Sequence, residues 1–398
     1  MTPSPPERPL LRLEPGRHKR AQAGHPWVYS NELAMGAAVK ALSPGTLVAL
    51  ESSEGRALGT ASFNPHTLIA ARILDTDPAA RIDAEFFARR FARARALRDR
   101  LYGAPFYRLA HAEADGLGGL VVDRYGDVVV VQITTAGMNR LAGNICAGLA
   151  ATLSPRTIVV RRDPAFEAEA IAPGLEIVSG ALDGPIEVVE GAARGYADLT
   201  GGQKTGWFFD QRDNRAFMAR FAPGARALDI YCYTGGFSLQ LAVSGAREIM
   251  AIDSSAAALE LAARGARLNG AEGRMHCVRA EAFTELARLA AAGERFDIVI
   301  ADPPAFAKSK KDLPVGLKAY RKLARLAANL VAPGGFLLVA SCSHNVGEAE
   351  FAVEIARGLA RAERTGRILR RAGAGADHPV HPFLPESAYL KAEVLQLD

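Results

Sequence analysis

The C-terminal half of the sequence, from about residue 205 onward, alternates apolar strand-like runs with helical segments of 10–15 residues. Parallel strands need long crossover connections, which are usually helices, so this alternation predicts a parallel, doubly wound sheet. The five predicted strands are "RALDIYCY", "EIMAIDS", "MHCVRAE", "FDIVIADPP" and "FLLVASCS". The tail "SAYLKAEVLQLD" is expected to add a last strand at the edge of this sheet. The region therefore belongs to the α/β class.

Two regions with other patterns precede it. Residues 1–75 contain the short alternating strands "GTLVALES", "ALGTASF" and "LIAARIL" between Gly and Pro turns, which predicts a small β-barrel. Residues 76–200 begin with the helical segment "AEFFARRFARARALRDRL". Its predicted buried stripe consists of Phe86, Phe87, Phe91 and Leu97. A hairpin around Gly126, a helix near 138–152 and further strands follow, so we expect an α+β unit with an antiparallel sheet.

Composition limits the classes of protein to which the chain can belong. A chain of 398 residues with 49% hydrophobic and 23% charged residues is large enough for two or three domains with their own cores. No apolar run approaches the roughly 18 residues of a membrane span. The polar, Pro-rich N-terminus does not look like a signal peptide, so a cytoplasmic location without membrane contact is expected. None of the four cysteines lies in a C-x-x-C pair, so no metal site is expected, and buried reduced thiols are the simplest interpretation.

Positive charge is concentrated in two places. The first 100 residues carry 15 Lys and Arg against 10 Asp and Glu, which accounts for the whole net charge of +5. This excess permits an anionic partner such as nucleic acid, although a solvated surface explains it equally well. Five of the nine lysines lie between Lys308 and Lys322. Lys318, Arg321, Lys322 and Arg325 recur at helical spacing, so we assign that face to phosphate contact.

The carboxyl ends of the first three predicted strands indicate a cofactor site, because ligands of open α/β sheets bind there. The first strand ends in "DIYCYTGGFS", where Gly235 and Gly236 allow a tight turn close to a ligand. Asp253 ends the second strand and can accept hydrogen bonds from a ribose diol, and Glu281 ends the third, within reach of an adenine edge. The glycine spacing is not G-x-G-x-x-G, which favours S-adenosylmethionine over a dinucleotide. Acidic residues at strand ends can also be merely solvated.

The fourth and fifth strands end in residues suited to chemistry. In "ADPPAF" two prolines fix a rigid turn that presents Asp302 and a backbone carbonyl to a planar base. The fifth strand ends at Cys342, and neighbouring strands would bring it to the same crevice as Asp302. By itself Cys342 could equally be a small core residue. Upstream, "TGWFFDQRDNR" places a polar cluster before a helix, either as a cover over the cofactor or as an ordinary charged helix start.

In order and spacing, "DIYCYTGGFS", "IDSS", "DPPAFAKSKKDL" and "SCSHNV" resemble motifs of class I S-adenosylmethionine-dependent RNA methyltransferases. The chain resembles above all the family of large-subunit ribosomal RNA cytosine-C5 methyltransferases. "FFDQRDNR" is similar to that family's segment before the first motif, and "DHPVHPFLPESAYLK" to its C-terminal signature. "HPWVYSNEL" resembles the start of its PUA (pseudouridine synthase and archaeosine transglycosylase) RNA-binding domain. "HAEADGLGGLVVDRYGD" resembles its central linking domain, so the resemblance covers nearly the whole chain.

The resemblance implies a PUA-like RNA-binding β-barrel at residues 1–75, a central α+β domain at 76–200 and a Rossmann-like methyltransferase domain at 201–398. It implies S-adenosylmethionine as cofactor, large-subunit ribosomal RNA as partner and 5-methylcytosine as product, and it leaves a homodimer open. The residues implied to bind the cofactor are Asp210, Gln211, Tyr233, Thr234, Gly235, Gly236, Phe237, Asp253, Ser254, Glu281 and Asp302. Those assigned to RNA are Arg212, Lys308, Lys310, Lys311 and Lys318. Asp302 and Cys342 would carry the chemistry.

One departure narrows the mechanism. A different class of RNA cytosine-C5 methyltransferases has a second cysteine directly after the proline of the fourth motif, and "DPPAF" lacks it. Cys342 is then the candidate nucleophile, because a thiolate added to C6 makes the electron-poor C5 nucleophilic. The helix predicted after Cys342 would favour the thiolate through its N-terminus. The base that takes the C5 proton is not assigned, and the adjacent His344 is more simply a surface residue.

Three alternatives stay open. A methyltransferase acting on guanine N7 or adenine N6 would need no cysteine, and "DPPAF" differs by one residue from the Asp/Asn-Pro-Pro-Tyr/Phe pattern of amino-group methyltransferases. A non-catalytic RNA-binding ribosome-assembly factor could retain the same fold. A nicotinamide-dependent dehydrogenase has the wrong glycine spacing.

Overall fold

The computed structural model describes residues 7–164, 167–202 and 205–398. They belong to two compact units. The first unit comprises the chain up to Asp183 together with Asp377–Pro385, and the second comprises Gly184–Ala376 with Glu386–Asp398. The sequence places a boundary at 200/201, whereas the two units divide after Asp183, because a hairpin within 184–200 packs on helices of the second unit.

The first sheet of the N-terminal unit has five strands. They are β1 (Leu10–Arg12), β2 (Trp27–Tyr29), β3 (Thr46–Glu51), β4 (Ala57–Phe63) and β5 (Ile69–Asp75). Their order is β1-β3-β4-β5-β2, in which β1 pairs parallel with β3 and the remaining pairs are antiparallel. The short helices α1 (Lys19–Gln22) and α2 (Ala37–Lys40) lie between strands in the chain. The apolar side chains of these strands form one core, which confirms the strands predicted for this region.

Helix α3 (Ala84–Leu101) has the predicted bounds and buries the three predicted phenylalanines. The fourth predicted position is wrong, because the Leu97 side chain is 45% exposed. The buried stripe continues instead through Ala94 to Arg98. Arg98 can be buried because its guanidinium makes two hydrogen bonds, 2.7 and 2.8 Å long, to the Asp115 carboxylate.

A second sheet follows α3. Its strands are β6 (Phe106–His111), β7 (Leu120–Tyr125), β8 (Val128–Ile133), β9 (Thr157–Arg162) and β10 (Gly174–Ser179), in the order β10-β9-β8-β7-β6. The predicted hairpin is present as β7 and β8. The expectation of a purely antiparallel sheet is wrong for one pair, because β8 and β9 are parallel. Helices α4 (Ala136–Arg140) and α5 (Ala142–Leu153) supply the crossover that a parallel pair requires.

The second unit begins with the hairpin of β11 (Ile186–Glu190) and β12 (Ala193–Ala197), followed by α6 (Arg212–Ala219). A seven-stranded sheet comes next. Its strands are β13 (Arg226–Ile230), β14 (Glu248–Asp253), β15 (Met275–Arg279), β16 (Phe296–Ala301), β17 (Val331–Ser341), β18 (Gly366–Ala372) and β19 (Lys391–Leu397). Its helices are α7 (Gly236–Val243), α8 (Ala256–Leu268), α9 (Ala282–Ala291), α10 (Leu313–Ala328) and α11 (Glu348–Arg361). Within the described ranges, no helix is long and apolar enough to cross a membrane.

The strand order is β15-β14-β13-β16-β17-β19-β18, and the five strands from β13 to β17 are parallel, as predicted. The tail forms β19, but it lies between β17 and β18 rather than at the edge, antiparallel to both. Its apolar residues are buried, whereas the arginine-rich β18 is exposed along most of its length and occupies the edge. The order reverses at β13, so the carboxyl ends of β13 and β16 border the crevice where such sheets bind ligands.

Candidate active site

The turn after β13 adopts a strained backbone. Tyr231 and Tyr233 have φ angles of 65° and 50°, in the left-handed region that residues with a Cβ rarely adopt. Gly235 takes a φ of 85° without that strain and precedes α7. A Cβ there would lie 3.1 Å from the Cβ of Ala262, so glycine is also the residue that fits. The remaining predicted residues of this turn, Thr234 and Phe237, are buried.

Asp253, at the end of β14, fixes this turn. Its Oδ2 accepts a 2.9 Å hydrogen bond from the Tyr233 N–H, and its Oδ1 accepts a 2.8 Å bond from the Ser255 N–H. A carboxylate has about four acceptor positions, so both oxygens can still accept hydroxyl groups of a ligand. The neighbouring Ser254 is exposed, with its carbonyl bonded to Arg279.

Glu281 is the N-cap of α9. Its Oε2 accepts hydrogen bonds from the Thr284 N–H and hydroxyl at 2.8 Å, and its Oε1 accepts one from the Phe283 N–H at 3.1 Å. Slight burial would raise the pKa of Glu281, but these hydrogen bonds lower it below its usual range. Its side chain is exposed, so helix capping accounts for what the structure shows of this residue, and adenine contact stays a prediction.

Sequence reasoning missed Tyr231. Burial raises the pKa of its phenol, and the charges of Glu281 and Asp253 raise it further, so the hydroxyl lies near both acids. The ring packs edge-on against Phe306, with the centroids 6.5 Å apart, and Phe306 in turn lies 6.0 Å from Phe283. The sequence could have indicated Tyr231, because it directly follows the first strand of the parallel sheet.

Asp302 follows β16 and is half-buried. Burial, and then the negative charges of Asp210 and Asp229, raise its pKa to about 7. The Gln211 side chain donates a hydrogen bond to Asp302, and its own amide oxygen accepts a 2.7 Å bond from Asn214. Near neutral pH, Asp302 is therefore a carboxyl that both donates and accepts a proton readily.

Asp229 is a second buried carboxyl, which sequence reasoning did not single out. It lies within β13, and its Oδ2 accepts hydrogen bonds from the Ser238 N–H at 3.0 Å and the Ser238 hydroxyl at 2.6 Å. Burial raises its pKa to about 7, although the bonds from Ser238 oppose that shift. Its charge is one of the two negative charges that raise the pKa of Asp302. An aspartate inside the apolar run "RALDIYCY" was the signal.

Asp210 lies just before α6 and hydrogen-bonds to two residues near the end of the chain. Its Oδ2 accepts a 2.5 Å hydrogen bond from the Tyr389 hydroxyl, and its backbone carbonyl accepts one from the Gly375 N–H at 2.9 Å. The other carboxylate oxygen, Oδ1, is buried, and so is Oδ1 of Asn214. Within the described part of the chain neither of these two oxygens accepts a hydrogen bond. A buried acceptor left unsatisfied is unfavourable, so the site suits a ligand that brings N–H or O–H donors.

A buried ion pair joins α6 to the end of β11, beside the start of α7. Two nitrogens of Arg215 donate to the Glu190 carboxylate at 2.6 and 2.7 Å. Burial alone would raise the pKa of Glu190, but the charge and hydrogen bonds of Arg215 lower it. A Cβ on Gly236 would lie 3.1 Å from Arg215 Nη1, so the glycine lets the two elements approach. Glu190 was missed because it belongs to the hairpin β11–β12, outside the motifs of the parallel sheet.

Two serines determine which way Cys342 points. The hydroxyls of Ser341 and Ser343 each lie 2.8 Å from the Tyr320 hydroxyl, in a fully buried network. The Ser343 hydroxyl also accepts a 3.2 Å bond from the Ala307 N–H, which ties the loop after β16 to the end of β17. Alternate residues of an extended chain face opposite sides, so the residue between the serines faces away from α10.

The Cys342 thiol accordingly faces the turn after β16. Its Sγ lies 4.0 Å from the carbonyl oxygen of Pro303, the residue after Asp302. The strand order thus places Cys342 beside the turn that carries Asp302; a shared crevice for the two side chains stays a prediction. Cys342 is half-buried, whereas Cys146 and Cys232 are buried; Cys277, on β15, is also half-buried.

The predicted RNA-binding residues divide into two groups. Lys308, Lys310, Lys311 and Lys318 are exposed. Among the described residues, these four lysines make no hydrogen bond or ion pair. Arg212 is half-buried, with its guanidinium 5.4 Å from the Phe209 ring centroid. On the predicted phosphate-binding face of α10, Arg321 pairs with Glu354 at 2.5 Å and Lys322 lies over the Phe283 ring at 4.6 Å. Phosphate contact by this face stays a prediction.

Comparison with known proteins agrees with this architecture. Residues 156–379 match the family of S-adenosylmethionine-dependent methyltransferases, and residues 11–76 match the PUA-like domain. The chain is 35% identical over 393 residues to the ribosomal RNA large subunit methyltransferase I of Shewanella denitrificans, covering 97% of this chain and 99% of the relative. The protein of that name from Aeromonas hydrophila is 34% identical over 398 residues, covering 97% and 98%.

Solved structures show the same fold at lower identity. A Streptococcus mutans protein described as an S-adenosylmethionine-dependent methyltransferase superposes with a TM-score of 0.81 at 20% identity, covering 98% of this chain and 100% of that one. A methyltransferase structure complexed with SAH superposes with a TM-score of 0.82 at 21% identity, with the same coverage. The fold class predicted from the sequence is therefore confirmed, with a class I methyltransferase domain after a PUA-like domain. The chain belongs to the family of S-adenosylmethionine-dependent methyltransferases.

Proposed function

We propose that this protein forms 5-methylcytosine in large-subunit ribosomal RNA through a covalent adduct of Cys342. The observation that carries the proposal is the position of the Cys342 thiol beside Pro303, in the turn that also holds Asp302. A thiol and a carboxyl with a pKa of about 7 on one crevice are the two groups that cytosine-C5 chemistry needs. The names of the full-length relatives support large-subunit ribosomal RNA as the substrate.

The crevice fits S-adenosylmethionine. Asp253 would hold the ribose hydroxyls, and the turn from Tyr233 to Gly236 would border the amino-acid end. The buried acceptor oxygens of Asp210 and Asn214 fit the ammonium or hydroxyl donors that the cofactor carries. The residues predicted to bind the cofactor also include Gln211, Phe237, Ser254 and Glu281. When bound, the cofactor supplies an electrophilic sulfonium methyl group, which the activated C5 accepts.

Cys342 and Asp302 have different roles in the reaction of the target cytosine. The Cys342 thiolate adds to C6, which breaks ring conjugation and places electron density at C5. Protonated Asp302 gives its proton to N3 as the C6–S bond forms, so the adduct carries no extra negative charge. After methylation C5 loses its proton to a base, N3 returns its proton to Asp302, and the C6–S bond breaks to regenerate the thiolate.

The RNA reaches this crevice through exposed cations. Lys308, Lys310 and Lys311 follow the Asp302 turn, and Lys318 lies on the next helix, so all four can contact phosphates near the target base. Arg212 is assigned to the RNA near the cofactor. The base must leave its stack to enter the crevice, so single-stranded or unfolded RNA is the expected target. The PUA-like region 1–75 would bind the RNA elsewhere, with 76–200 as linking domain and 201–398 as catalytic domain.

A homodimer is a further part of the proposal. Strand β10 is the edge of its sheet, and all six of its residues are exposed, including Leu175, Ile177 and Val178. An exposed apolar edge strand favours pairing with a second chain. A dimer mass in light scattering at micromolar concentration, lost in the Ile177→Lys variant, supports the dimer; a monomer in the unaltered protein excludes it. With a ribosomal RNA substrate, the cytoplasm is the proposed location.

The decisive experiment is nucleoside mass spectrometry of large-subunit ribosomal RNA from cells with and without this protein. We expect one 5-methylcytidine to disappear and to return when the intact gene, but not a Cys342→Ala gene, is restored. Loss of a methylated guanine or adenine instead would favour the amino-group or N7 methyltransferase. An unchanged profile, with no binding of S-adenosylmethionine in calorimetry, would favour the non-catalytic RNA-binding factor.

A further inference from the structure

Lys391, the first residue of β19, bridges the turn that carries Cys342. It lies opposite Ser341 in the antiparallel register. Its Nζ donates 2.8 Å hydrogen bonds to the carbonyl oxygens of Ser343 and Val346. Those two carbonyls belong to the connection between β17 and α11, directly after Cys342. One ammonium group therefore fixes the connection at two points.

The charges of Lys391 and Cys342 interact. Burial lowers the pKa of Lys391, and the charges of Cys342 and then Glu348 oppose that shift. Electrostatic coupling is reciprocal, so an ammonium stabilised by a nearby thiolate stabilises that thiolate equally. An ammonium has three donors, and the two carbonyls use two of them, which leaves one N–H available.

Lys391 is a cation whose charge interacts with that of Cys342. Other titratable groups near the turn are Asp302, Tyr320, His344, Glu348 and Tyr389. Helix α10 also carries Lys318, Arg321, Lys322 and Arg325, but Cys342 faces away from that helix. The N-terminus of α11, which the sequence suggested as the source of stabilisation, is already capped, because the Gly347 N–H donates to the Glu350 carboxylate at 3.0 Å. Glu348 and Glu350 in its first turn also offset the positive end of the helix dipole.

We propose that Lys391 is a positioning residue for the nucleophile: its ammonium holds the connection after β17 and keeps the Cys342 sulfur in the reactive thiolate form. This inference rests on the proposed covalent role of Cys342. It can nevertheless be tested on the thiol alone, since alkylation of a cysteine requires the thiolate but neither RNA nor cofactor.

The test measures the rate at which iodoacetamide alkylates Cys342 in the full-length protein between pH 6 and pH 10, with each cysteine peptide resolved by mass spectrometry. Lys391→Gln keeps an N–H donor and removes the charge, and Lys391→Arg keeps the charge. We expect the Gln variant to shift the alkylation midpoint upward by about one pH unit and to react about tenfold more slowly at pH 7. The Arg variant should restore most of the rate.

A matched control is Arg364→Met. Arg364 also donates from one nitrogen to two backbone carbonyls, those of Ala328 and Val331 at 2.9 and 2.7 Å, in the same unit. Its loss should leave the Cys342 midpoint unchanged. Alkylation of the half-buried Cys277 provides an internal control, because a general loosening of the fold would accelerate it.

Methylation assays separate the two hypotheses. With Lys391→Gln we expect the pH optimum of kcat to move upward while KM for RNA stays constant. If the alkylation midpoint is unchanged while 5-methylcytidine still forms through Cys342, the role of Lys391 is refuted and the proposed function stands. If the Cys342→Ala variant retains full methyltransferase activity, the proposed function is refuted, independently of the alkylation rates. If the Gln variant does not fold, Lys391→Met replaces it, and its affinity for S-adenosylmethionine shows whether it is folded. An unshifted alkylation midpoint of Cys342 in the folded Met variant would also overturn the inference.

Discussion

The Cys342 thiol lies 4.0 Å from the carbonyl oxygen of Pro303. This contact joins the ends of two adjacent parallel strands, β16 and β17, and places the half-buried sulfur beside the turn that carries Asp302. A cysteine that served only to fill a core would be enclosed like Cys232, which is buried in the turn after β13. The partial exposure of Cys342 beside the Asp302 turn supports its proposed role as the nucleophile.

Replacing Cys342 by alanine should abolish methyl transfer, by on the order of 10⁴-fold or more, since removal of a nucleophile leaves only binding effects. Affinity for S-adenosylmethionine, measured by calorimetry, should stay within about twofold, because in the proposed mechanism the thiol contacts the target base and not the cofactor. The matched control is Cys277→Ala, which alters the other half-buried thiol and should retain full activity. Full activity of the Cys342 variant would eliminate the covalent mechanism.

Asp302→Asn should remove the acid that protonates N3 and lower kcat by about 10²–10⁴-fold. In the unaltered enzyme, the protonated fraction of Asp302 decreases as the pH rises through about 7. A thiol forms more thiolate as the pH rises, whereas protonated Asp302 becomes scarcer, so kcat should follow a bell-shaped pH profile. A profile that rises without a decline to pH 9 would contradict the assignment of Asp302 as an acid.

The same raised pKa affects stability. An unfolded aspartate has a pKa of about 3.9, whereas that of folded Asp302 is about 7, so between these values the folded state binds more protons. The free energy of unfolding should therefore decrease as the pH rises from about 4 to about 7, by about 1.4 kcal/mol for each pKa unit of difference. Urea unfolding of Asp302→Asn should show a shallower decrease. Equal slopes in the two proteins would show that Asp302 does not titrate in this range.

The parallel sheet and the strand-end residues could be predicted from the sequence because both follow from local patterns. Strand and helix periodicities determined the order of elements, and that order brought Asp302 and Cys342 together. The predicted edge position of the tail was wrong, because the place of β19 between β17 and β18 depends on which strand has apolar faces to bury.

Contacts between distant segments could not be predicted from one sequence. Glu190 pairs with Arg215, Tyr389 bonds to Asp210, and Lys391 bridges carbonyls of another strand's connection. None of these pairs has a characteristic spacing along the chain. The predicted buried stripe of α3 was wrong at its last position for a related reason. Arg98 is buried because its partner Asp115 lies on a different element.

The Glu190–Arg215 pair should be essential for the stability of the second unit. Arg215→Met leaves a buried carboxylate without its partner, which should reduce the free energy of unfolding by about 3–5 kcal/mol. The double variant Glu190→Leu/Arg215→Met should recover much of that loss, because the buried Glu190 carboxylate is removed together with its partner. The control is the exposed pair of Arg89 and Glu85, whose removal should change little. A small loss for Arg215→Met would show that water reaches the pair.

Removing the lysines after the Asp302 turn should weaken RNA binding without affecting the cofactor. We expect the triple variant Lys308→Met/Lys310→Met/Lys311→Met to bind RNA more weakly. The slope of log affinity against log salt should fall by about 0.7 for each single-strand phosphate that the variant no longer neutralises. The measurement is fluorescence anisotropy with labelled ribosomal RNA fragments at salt concentrations from low to physiological ionic strength.

The matched control for these lysines is Arg267→Met, which removes an exposed cation from α8 and should leave the salt slope unchanged. The triple variant removes three charges and the control removes one, so the change in slope is compared per charge removed. A larger change per charge in the triple variant reports the position of the charge. Equal slopes for the triple variant and the unaltered protein would show that these lysines are only solvated. The phosphate contacts would then have to be sought in the first 100 residues, which account for the whole net charge of +5.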